Sequence, residues 1–140
     1  MVILTLHIFA RPQPETNMFF KESTIPAIDL SAQSSLNTAF ANDVDPDLVY
    51  AQQVIGYSSN SKNDVIIAIS TSSNSKNVVN AAKAAKAIGI KVIALTGDND
   101  STISNVASIC IKAPATETYK IQELHLPIYH YICIELEKRI

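Results

Sequence analysis

Continuous apolar runs alternate with a helical pattern in the middle of the chain. Residues 65–69 and 91–96 are almost wholly apolar, which is typical of strands buried on both faces of a parallel sheet. Between them, apolar residues recur at helical spacing over residues 78–88, and Gly89 follows, as suits the left-handed position past a helix end. The order predicts a βαβ unit with parallel neighbouring strands and a right-handed crossover.

Shorter elements are predicted on both sides of this unit. A strand and two helices precede it, with Asp45 and Pro46 as the cap and first-turn proline of the second helix, and a helix, a strand and a long helix follow it. In chain order these cover residues 25–30, 34–40, 47–55, 102–106, 109–112 and 118–140. Residues 2–9 fit either a strand or a disordered start. We therefore predict an α/β fold, a three-layer sandwich around a mainly parallel sheet.

Composition narrows the class of protein. The 140 residues suit one domain, and 47% hydrophobic residues, 17% charged residues and a net charge of −2 argue against disorder and against a nucleic-acid-binding surface. The apolar residues 1–10 are too few to span a membrane. Cys110 and Cys133 lie in apolar stretches without metal-ligand or redox spacing, which predicts buried thiols in a reducing compartment. We expect a cytoplasmic protein with neither membrane nor nucleic-acid partners.

A loop rich in alcohols, residues 70–75, lies between the first buried strand and the following helix. We call it the hydroxyl loop. Ligands of open α/β sheets bind beyond the carboxyl ends of the strands, where the unpaired amides of a helix N-terminus favour an anion. The loop lacks the lysine of a nucleotide-binding loop and the GxGxxG pattern, so it fits a sugar phosphate better than ATP or a dinucleotide. The alternative is that residues 72–77 merely cap the helix. The candidate phosphate ligands are the hydroxyls of Ser70, Thr71, Ser72 and Ser75.

Several short segments resemble the signature of SIS (sugar isomerase) domains. They are DVIIAISTSSNS at 64–75, ALTG at 94–97 and IQELH at 121–125. Within that family the sequence is most similar to phosphoheptose isomerases, through PAIDL at 26–30, AND at 41–43 and YAQQV at 50–54. The resemblance covers roughly residues 24–140 and implies an SIS domain there, with residues 1–23 unassigned. It also implies the topology of that family, which is flavodoxin-like or Rossmann-like.

The resemblance implies an activity and roles for named residues. Such enzymes convert sedoheptulose 7-phosphate to glycero-manno-heptose 7-phosphate for bacterial surface polysaccharide, an aldose–ketose isomerisation through an enediol that needs a base at carbon and an acid near oxygen. By resemblance, the four hydroxyls hold the phosphate, Gln122 contacts the substrate and His130 transfers a proton. His125 is expected to be structural. Family members are usually tetramers with sites between subunits, which implies a homo-oligomer.

The resemblance also raises the question of a metal. Some relatives bind zinc through four side chains, and only two of these, Gln122 and His130, have counterparts here. Two ligands fall short of the four, or three plus water, that zinc usually takes. We therefore expect that no cofactor is required, and that zinc binds only where another subunit or a further residue completes the set. Pro127 lies between these two residues, where it removes a helix hydrogen bond and predicts a kink.

Other departures concern the active site. The family's earlier strand, its glycine- and serine-rich loop and the helix with the catalytic glutamate have no counterpart. Ser73 stands where a glycine is usual, which predicts strain if that position needs a positive φ. Gln33 and Tyr119 occupy positions where the family usually has aspartates near the substrate.

Three functions stay open on these residues. His130 favours an enzyme, an aldose–ketose isomerase. The missing glutamate favours a non-catalytic SIS module that senses a sugar phosphate or binds a regulatory partner. The third alternative is a shortened family member that keeps only the structural resemblance.

Overall fold

A single five-stranded sheet organises the chain, in the order β2-β1-β3-β4-β5. The computed structural model describes residues 3–5, 27–58, 63–99 and 101–139. The strands are β1 (Ile3–Thr5), β2 (Ile28–Asp29), β3 (Val65–Ser70), β4 (Lys91–Thr96) and β5 (Ile109–Lys112). The helices are a 3₁₀ turn (Leu30–Ala32), α1 (Ser34–Asp43), α2 (Val49–Tyr57), α3 (Lys76–Ala87), α4 (Thr102–Val106) and α5 (Thr118–Glu137).

The predicted βαβ unit is confirmed. Strands β3 and β4 pair in parallel from Val65 with Lys91 to Ser70 with Thr96, and β5 adds a further parallel strand beside β4. Gly89 has a φ of 85°, the left-handed conformation expected after α3. The α/β class and the parallel part of the sheet are therefore as predicted. The carboxyl end of β3 and the start of α3 meet at the hydroxyl loop.

The other edge of the sheet is antiparallel. Strand β1 pairs antiparallel with both β2 and β3, with Leu4 opposite Asp29 on one side and Ile67 on the other. Of the two alternatives for residues 2–9, residues 3–5 form a strand, and residues 2 and 6–9 lie outside the described residues. Strand β2 is shorter than predicted, and residues 25 and 26 of the prediction lie outside the described residues. The sheet therefore combines parallel and antiparallel pairing.

The main core lies between one face of the sheet and the helices α2, α3 and α4. Alternate strand residues such as Ile66 and Ala94 pack there with the apolar stripe of α3 that includes Val78 and Ala82. Tyr50 joins this core from α2 and is buried. Burial raises the pKa of the Tyr50 phenol, and the nearby Asp29 carboxylate adds to the rise, so this hydroxyl stays neutral.

The start of α2 differs from the prediction. Residues 46–48 form a turn, and α2 begins only at Val49, so Pro46 is not in its first turn. Asp45 closes this turn, because its Oδ1 accepts from the Asp47 N–H at 2.8 Å and its carbonyl accepts from the Leu48 N–H at 3.0 Å. An aspartate can stabilise a turn in the same way that it caps a helix, so the sequence signal was ambiguous.

Helix α5 is only lightly attached to the rest of the chain. Its buried residues are Ile121 and His125. Cys133 is exposed on this helix and Cys110 is only partly buried on the edge strand β5, so the prediction of two buried thiols was wrong. The apolar neighbours of the two cysteines in the sequence do not reveal that β5 is an edge strand or that α5 leaves most of its surface uncovered. No helix in the described ranges combines the length and apolarity needed to span a bilayer.

Candidate functional site

Three predicted hydroxyls meet at the carboxyl end of β3. Ser72 Oγ lies 3.1 Å from Ser75 Oγ, and Ser70 Oγ donates to Ser75 Oγ over 3.4 Å. Ser70 is buried as the last residue of β3, Ser75 is half-buried and Ser72 is exposed. Thr71 is half-buried in the same loop. The group thus extends from the sheet to the surface, and a phosphate approaching from solvent would meet Ser72 and Ser75 first.

The structure only partly supports the alternative that this loop merely caps α3. Ser75 is the N-cap residue of α3, and its side chain makes no capping hydrogen bond. Asn77 Oδ1 accepts from the Val78 N–H at 2.9 Å and so occupies one amide of the first turn. The Ser75 hydroxyl is therefore engaged with its neighbouring hydroxyls rather than with the helix. The positive end of the α3 dipole lies beside these hydroxyls and favours an anion.

Asn74 ties the hydroxyl loop to a distant part of the chain. Its Oδ1 accepts from the Thr102 N–H, in the first turn of α4, at 3.2 Å. Ser101 caps α4 by accepting from the Ser104 N–H. Asn74 was not singled out from the sequence, since nothing near it in the chain indicates a bond to residue 102. The bond holds the loop against the helix that follows the neighbouring strand.

Ser73 has the left-handed backbone that the missing glycine suggested. Its φ is 59°, and its N–H donates to the Ser70 carbonyl at 3.2 Å to close the turn. The side chain is fully buried, and its Oγ has no hydrogen-bond partner within the described ranges. A serine in this conformation costs about 1–2 kcal/mol relative to glycine, and a buried unpaired hydroxyl adds to the cost. The turn is therefore strained.

Replacing Ser73 by glycine should stabilise the protein. The change removes the left-handed strain and the unpaired hydroxyl, and these gains exceed the added entropy of an unfolded glycine, for a net rise of about 1 kcal/mol in the free energy of unfolding. Urea denaturation measures it. Ser72→Gly is the matched control, because the neighbouring residue has no positive φ and should lose about 0.5–1 kcal/mol. Equal losses in both variants would contradict the strain.

Gly97 is the point where three segments meet beside the hydroxyl loop. A Cβ on this residue would lie 2.6 Å from Ile121 Cδ1 of α5, 3.1 Å from the Ala115 carbonyl oxygen and 3.2 Å from the Thr71 carbonyl oxygen. The Asp98 N–H also donates to the Ala115 carbonyl at 3.1 Å. The absence of a side chain therefore lets the hydroxyl loop, the end of β4 and the start of α5 pack together.

Gly97→Ala should destabilise the protein, whereas Gly56→Ala should stabilise it. The new methyl at position 97 would force the buried Ile121 side chain to move and would press against two backbone oxygens, which costs about 1–3 kcal/mol. Gly56 lies in α2 with nothing within 4 Å of an added Cβ, so alanine there should add about 0.5–1 kcal/mol. Thermal unfolding of both variants measures the contrast. If the melting temperatures of both variants shifted in the same direction, the result would contradict the close packing at Gly97.

Gln122 and His130 both lie exposed on α5. The helix is continuous through Pro127. Eight residues of helix separate the two side chains by about 12 Å along the axis and about 80° around it. His130 lies about 140° around the helix from His125 and about 180° from Ile121, the two buried residues. His130 therefore faces away from the part of α5 that contacts its own sheet.

The described side chains of one chain do not complete a zinc site. Gln122 and His130 would supply two ligands, fewer than the three or four protein ligands that zinc usually takes. The described ranges contain no group of three or more His, Cys, Asp or Glu side chains able to hold a metal. The ring of His130 stacks edge-on against Tyr129, with 5.2 Å between centroids.

Comparisons with known proteins agree on one family. The family model for the SIS domain matches residues 5–97. Phosphoheptose isomerase from Rhodospirillum rubrum is 36% identical over 116 residues, which are 82% of this chain and 61% of the relative. The enzyme of the same name from a Nitratiruptor species is 42% identical over 110 residues, 79% of this chain and 58% of the relative. The chain thus spans about three fifths of the length of the curated relatives that it matches.

Solved structures of phosphoheptose isomerases have the same fold. The structure from Francisella tularensis superposes with a TM-score of 0.78 at 29% identity, and covers 87% of this chain and 65% of that one. The structure from Neisseria gonorrhoeae gives a TM-score of 0.70 at 36% identity, over 74% of this chain and 58% of that one. The hydroxyl loop and the end of β4 fall within the residues that the family model matches.

Proposed function

Because the chain belongs to the SIS domain family, we propose that it binds a sugar phosphate and acts as a phosphoheptose isomerase. The proposed reaction converts sedoheptulose 7-phosphate to glycero-manno-heptose 7-phosphate, a step towards bacterial surface polysaccharide such as lipopolysaccharide. The curated relatives and solved structures described above are phosphoheptose isomerases. Since the chain spans about three fifths of the relatives' length, the reaction and substrate are proposals for this chain.

The observation that carries the proposal is the meeting of Ser70, Ser72 and Ser75 hydroxyls at the start of α3. A phosphate can accept hydrogen bonds from these hydroxyls and gain from the helix dipole at the same time. The loop supplies no cationic side chain of its own, which suits a single phosphate monoester better than a triphosphate. We propose Ser70, Thr71, Ser72 and Ser75 as phosphate ligands.

The proposed chemistry moves a proton between two neighbouring carbons of the sugar. A base takes the proton from the carbon beside the carbonyl while an acid donates a proton to the carbonyl oxygen, which gives the enediol. A proton then returns to the former carbonyl carbon, and the hydroxyl on the neighbouring carbon loses its proton to become the aldehyde carbonyl. We propose that His130 performs one of the proton transfers and that Gln122 contacts the sugar. An imidazole suits this role because its ring nitrogens can both accept and donate a proton.

A second copy of the chain is proposed as part of the working protein. His130 faces away from the buried side of α5, and about 12 Å of helix separate it from Gln122. Exposed apolar side chains on the same helix, among them Leu126, Tyr131 and Ile134, give a second copy a surface to cover. In such an oligomer, His130 of one chain would act at the hydroxyl loop of another. The tetramer implied by the family resemblance has this property.

The second candidate function is a non-catalytic module that senses a sugar phosphate or binds a regulatory partner. It is favoured by the lack of a carboxylate hydrogen-bonded to His130 among the described residues. The same hydroxyl loop would bind the phosphate in both functions. Only catalysis distinguishes the two functions, because a sensor has to bind the sugar phosphate but does not have to convert it.

The compartment proposed is the cytoplasm. Both cysteines of the chain are free thiols, which suits a reducing compartment. No cofactor is proposed as a requirement.

Turnover of sedoheptulose 7-phosphate tests the proposal. Folded protein incubated with this ketose phosphate should form the aldose product, detected by NMR or by chromatography of the sugar phosphates. Binding without turnover would remove the isomerase and leave the sensor. If the folded protein neither binds nor converts the sugar phosphate, only the structural resemblance to the family remains.

A further inference from the structure

His125 is a buried polar side chain that the proposed chemistry does not use. It is 2% exposed, and its Nε2 lies 3.0 Å from the Thr96 carbonyl oxygen. A carbonyl only accepts, so Nε2 carries the proton and donates. The bond joins α5 to the carboxyl end of β4. His125 and Ile121 are the buried residues of this 20-residue helix, so they provide much of its attachment.

This attachment lies next to the hydroxyl loop. Thr96 is followed directly by Gly97, where an added Cβ would lie 2.6 Å from Ile121 Cδ1 and 3.2 Å from the Thr71 carbonyl oxygen. Gln122 lies between Ile121 and His125 in the chain, within one turn of both. The position of Gln122 relative to the hydroxyl loop is therefore set by two contacts, of which the His125 hydrogen bond is the directional one.

We infer that His125 is a positioning residue, whose hydrogen bond to the Thr96 carbonyl holds α5 so that Gln122 stays in place for the sugar of a bound sugar phosphate. The inference rests on the proposed function, because it deepens the role of Gln122. His125 does not touch the substrate and acts through Gln122. The Thr96 carbonyl also accepts from the Ala113 N–H at 2.8 Å, so losing the histidine does not leave this oxygen without a partner.

The test compares His125→Phe with His125→Gln. Phenylalanine keeps a buried ring and removes the N–H, whereas the glutamine amide can place an N–H near the position of Nε2. Affinity for sedoheptulose 7-phosphate should fall about 10-fold in His125→Phe, the size expected for one hydrogen bond, and recover in His125→Gln. Affinity for inorganic phosphate should change less than about 2-fold, because phosphate alone needs only the hydroxyl loop. In a Gln122→Ala background, His125→Phe should add no further loss.

Several results would overturn the inference. Equal loss of affinity for both ligands would mean that His125 acts on the hydroxyl loop itself, and additive losses with Gln122→Ala would separate it from Gln122. Unchanged affinity in His125→Phe would also refute it.

A measurement without ligand separates this inference from the proposed function. Amide hydrogen exchange in α5 should be faster in His125→Phe than in His125→Gln, with unchanged exchange in β3 and β4. Unchanged exchange in α5 would overturn the positioning role even if the wild-type protein binds both ligands. If the wild-type protein binds neither ligand, the proposed function fails and the role through Gln122 fails with it. Faster exchange in α5 would then show an anchoring histidine alone.

Discussion

Replacing Ser72 and Ser75 together by alanine is expected to lower the affinity for inorganic phosphate and for sedoheptulose 7-phosphate by at least about 100-fold. Hydrogen bonds to a charged partner contribute about 1.5–3 kcal/mol each, so two of them exceed the 2.7 kcal/mol that corresponds to that factor. Isothermal titration calorimetry measures both affinities. These are the two hydroxyls of the meeting group that solvent reaches.

The control for this variant is Ser35→Ala. Ser35 is exposed on α1, which has no buried residues, and its loss should leave both affinities unchanged. The double variant should keep its fold, because the two side chains bond to other hydroxyls rather than to the helix. Wild-type affinity in a folded double variant would exclude the hydroxyl loop as the phosphate site for both the isomerase and the sensor.

His130→Gln is expected to lower kcat for sedoheptulose 7-phosphate by about 100-fold or more, with little change in the affinity for inorganic phosphate. General acid–base catalysis contributes about 10²–10⁴ to such a rate, and glutamine keeps a polar side chain that does not transfer protons near neutral pH. Steady-state kinetics together with phosphate titration separate the two effects. Loss of kcat alone would support a proton-transfer role.

Glu137→Gln is the matched control for this variant. Glu137 is exposed on α5 two turns beyond His130 and on nearly the same side of the helix, so it changes a polar group on that face without the imidazole. The control should keep its kcat. If both variants lose activity equally, the face of α5 rather than the imidazole is responsible, as an effect on assembly would produce. Full activity in His130→Gln would exclude His130 as a catalytic residue.

Elements with a strong local pattern were predictable. The runs at 65–69 and 91–96 are apolar on consecutive residues, and the helix between them has one apolar face. A few neighbouring residues are therefore enough to predict each of these elements. The start of α2 was predicted wrongly, because Asp45 and Pro46 suit a turn as well as a helix start.

The candidate site was likewise predictable only where its residues lie close together in the chain. Three of the four predicted hydroxyls could be grouped because the end of β3 and the start of α3 are separated by only five residues. The strain at Ser73 was foreseen only as a condition, since the φ of one residue depends on how the turn closes. Gly97 and Asn74 were not identified as structural junctions, because their partners lie 18 to 28 residues away in the chain.

The amino-acid sequence by itself determined the βαβ unit and the alcohol-rich loop at its carboxyl end, because hydrophobic periodicity and helix-start chemistry act between near neighbours. Only the tertiary structure decided that β1 pairs antiparallel beside β3, that His125 bonds to the Thr96 carbonyl and that His130 faces away from its own sheet. These features join segments far apart in the chain. They depend on how whole elements pack, which no short stretch of sequence encodes.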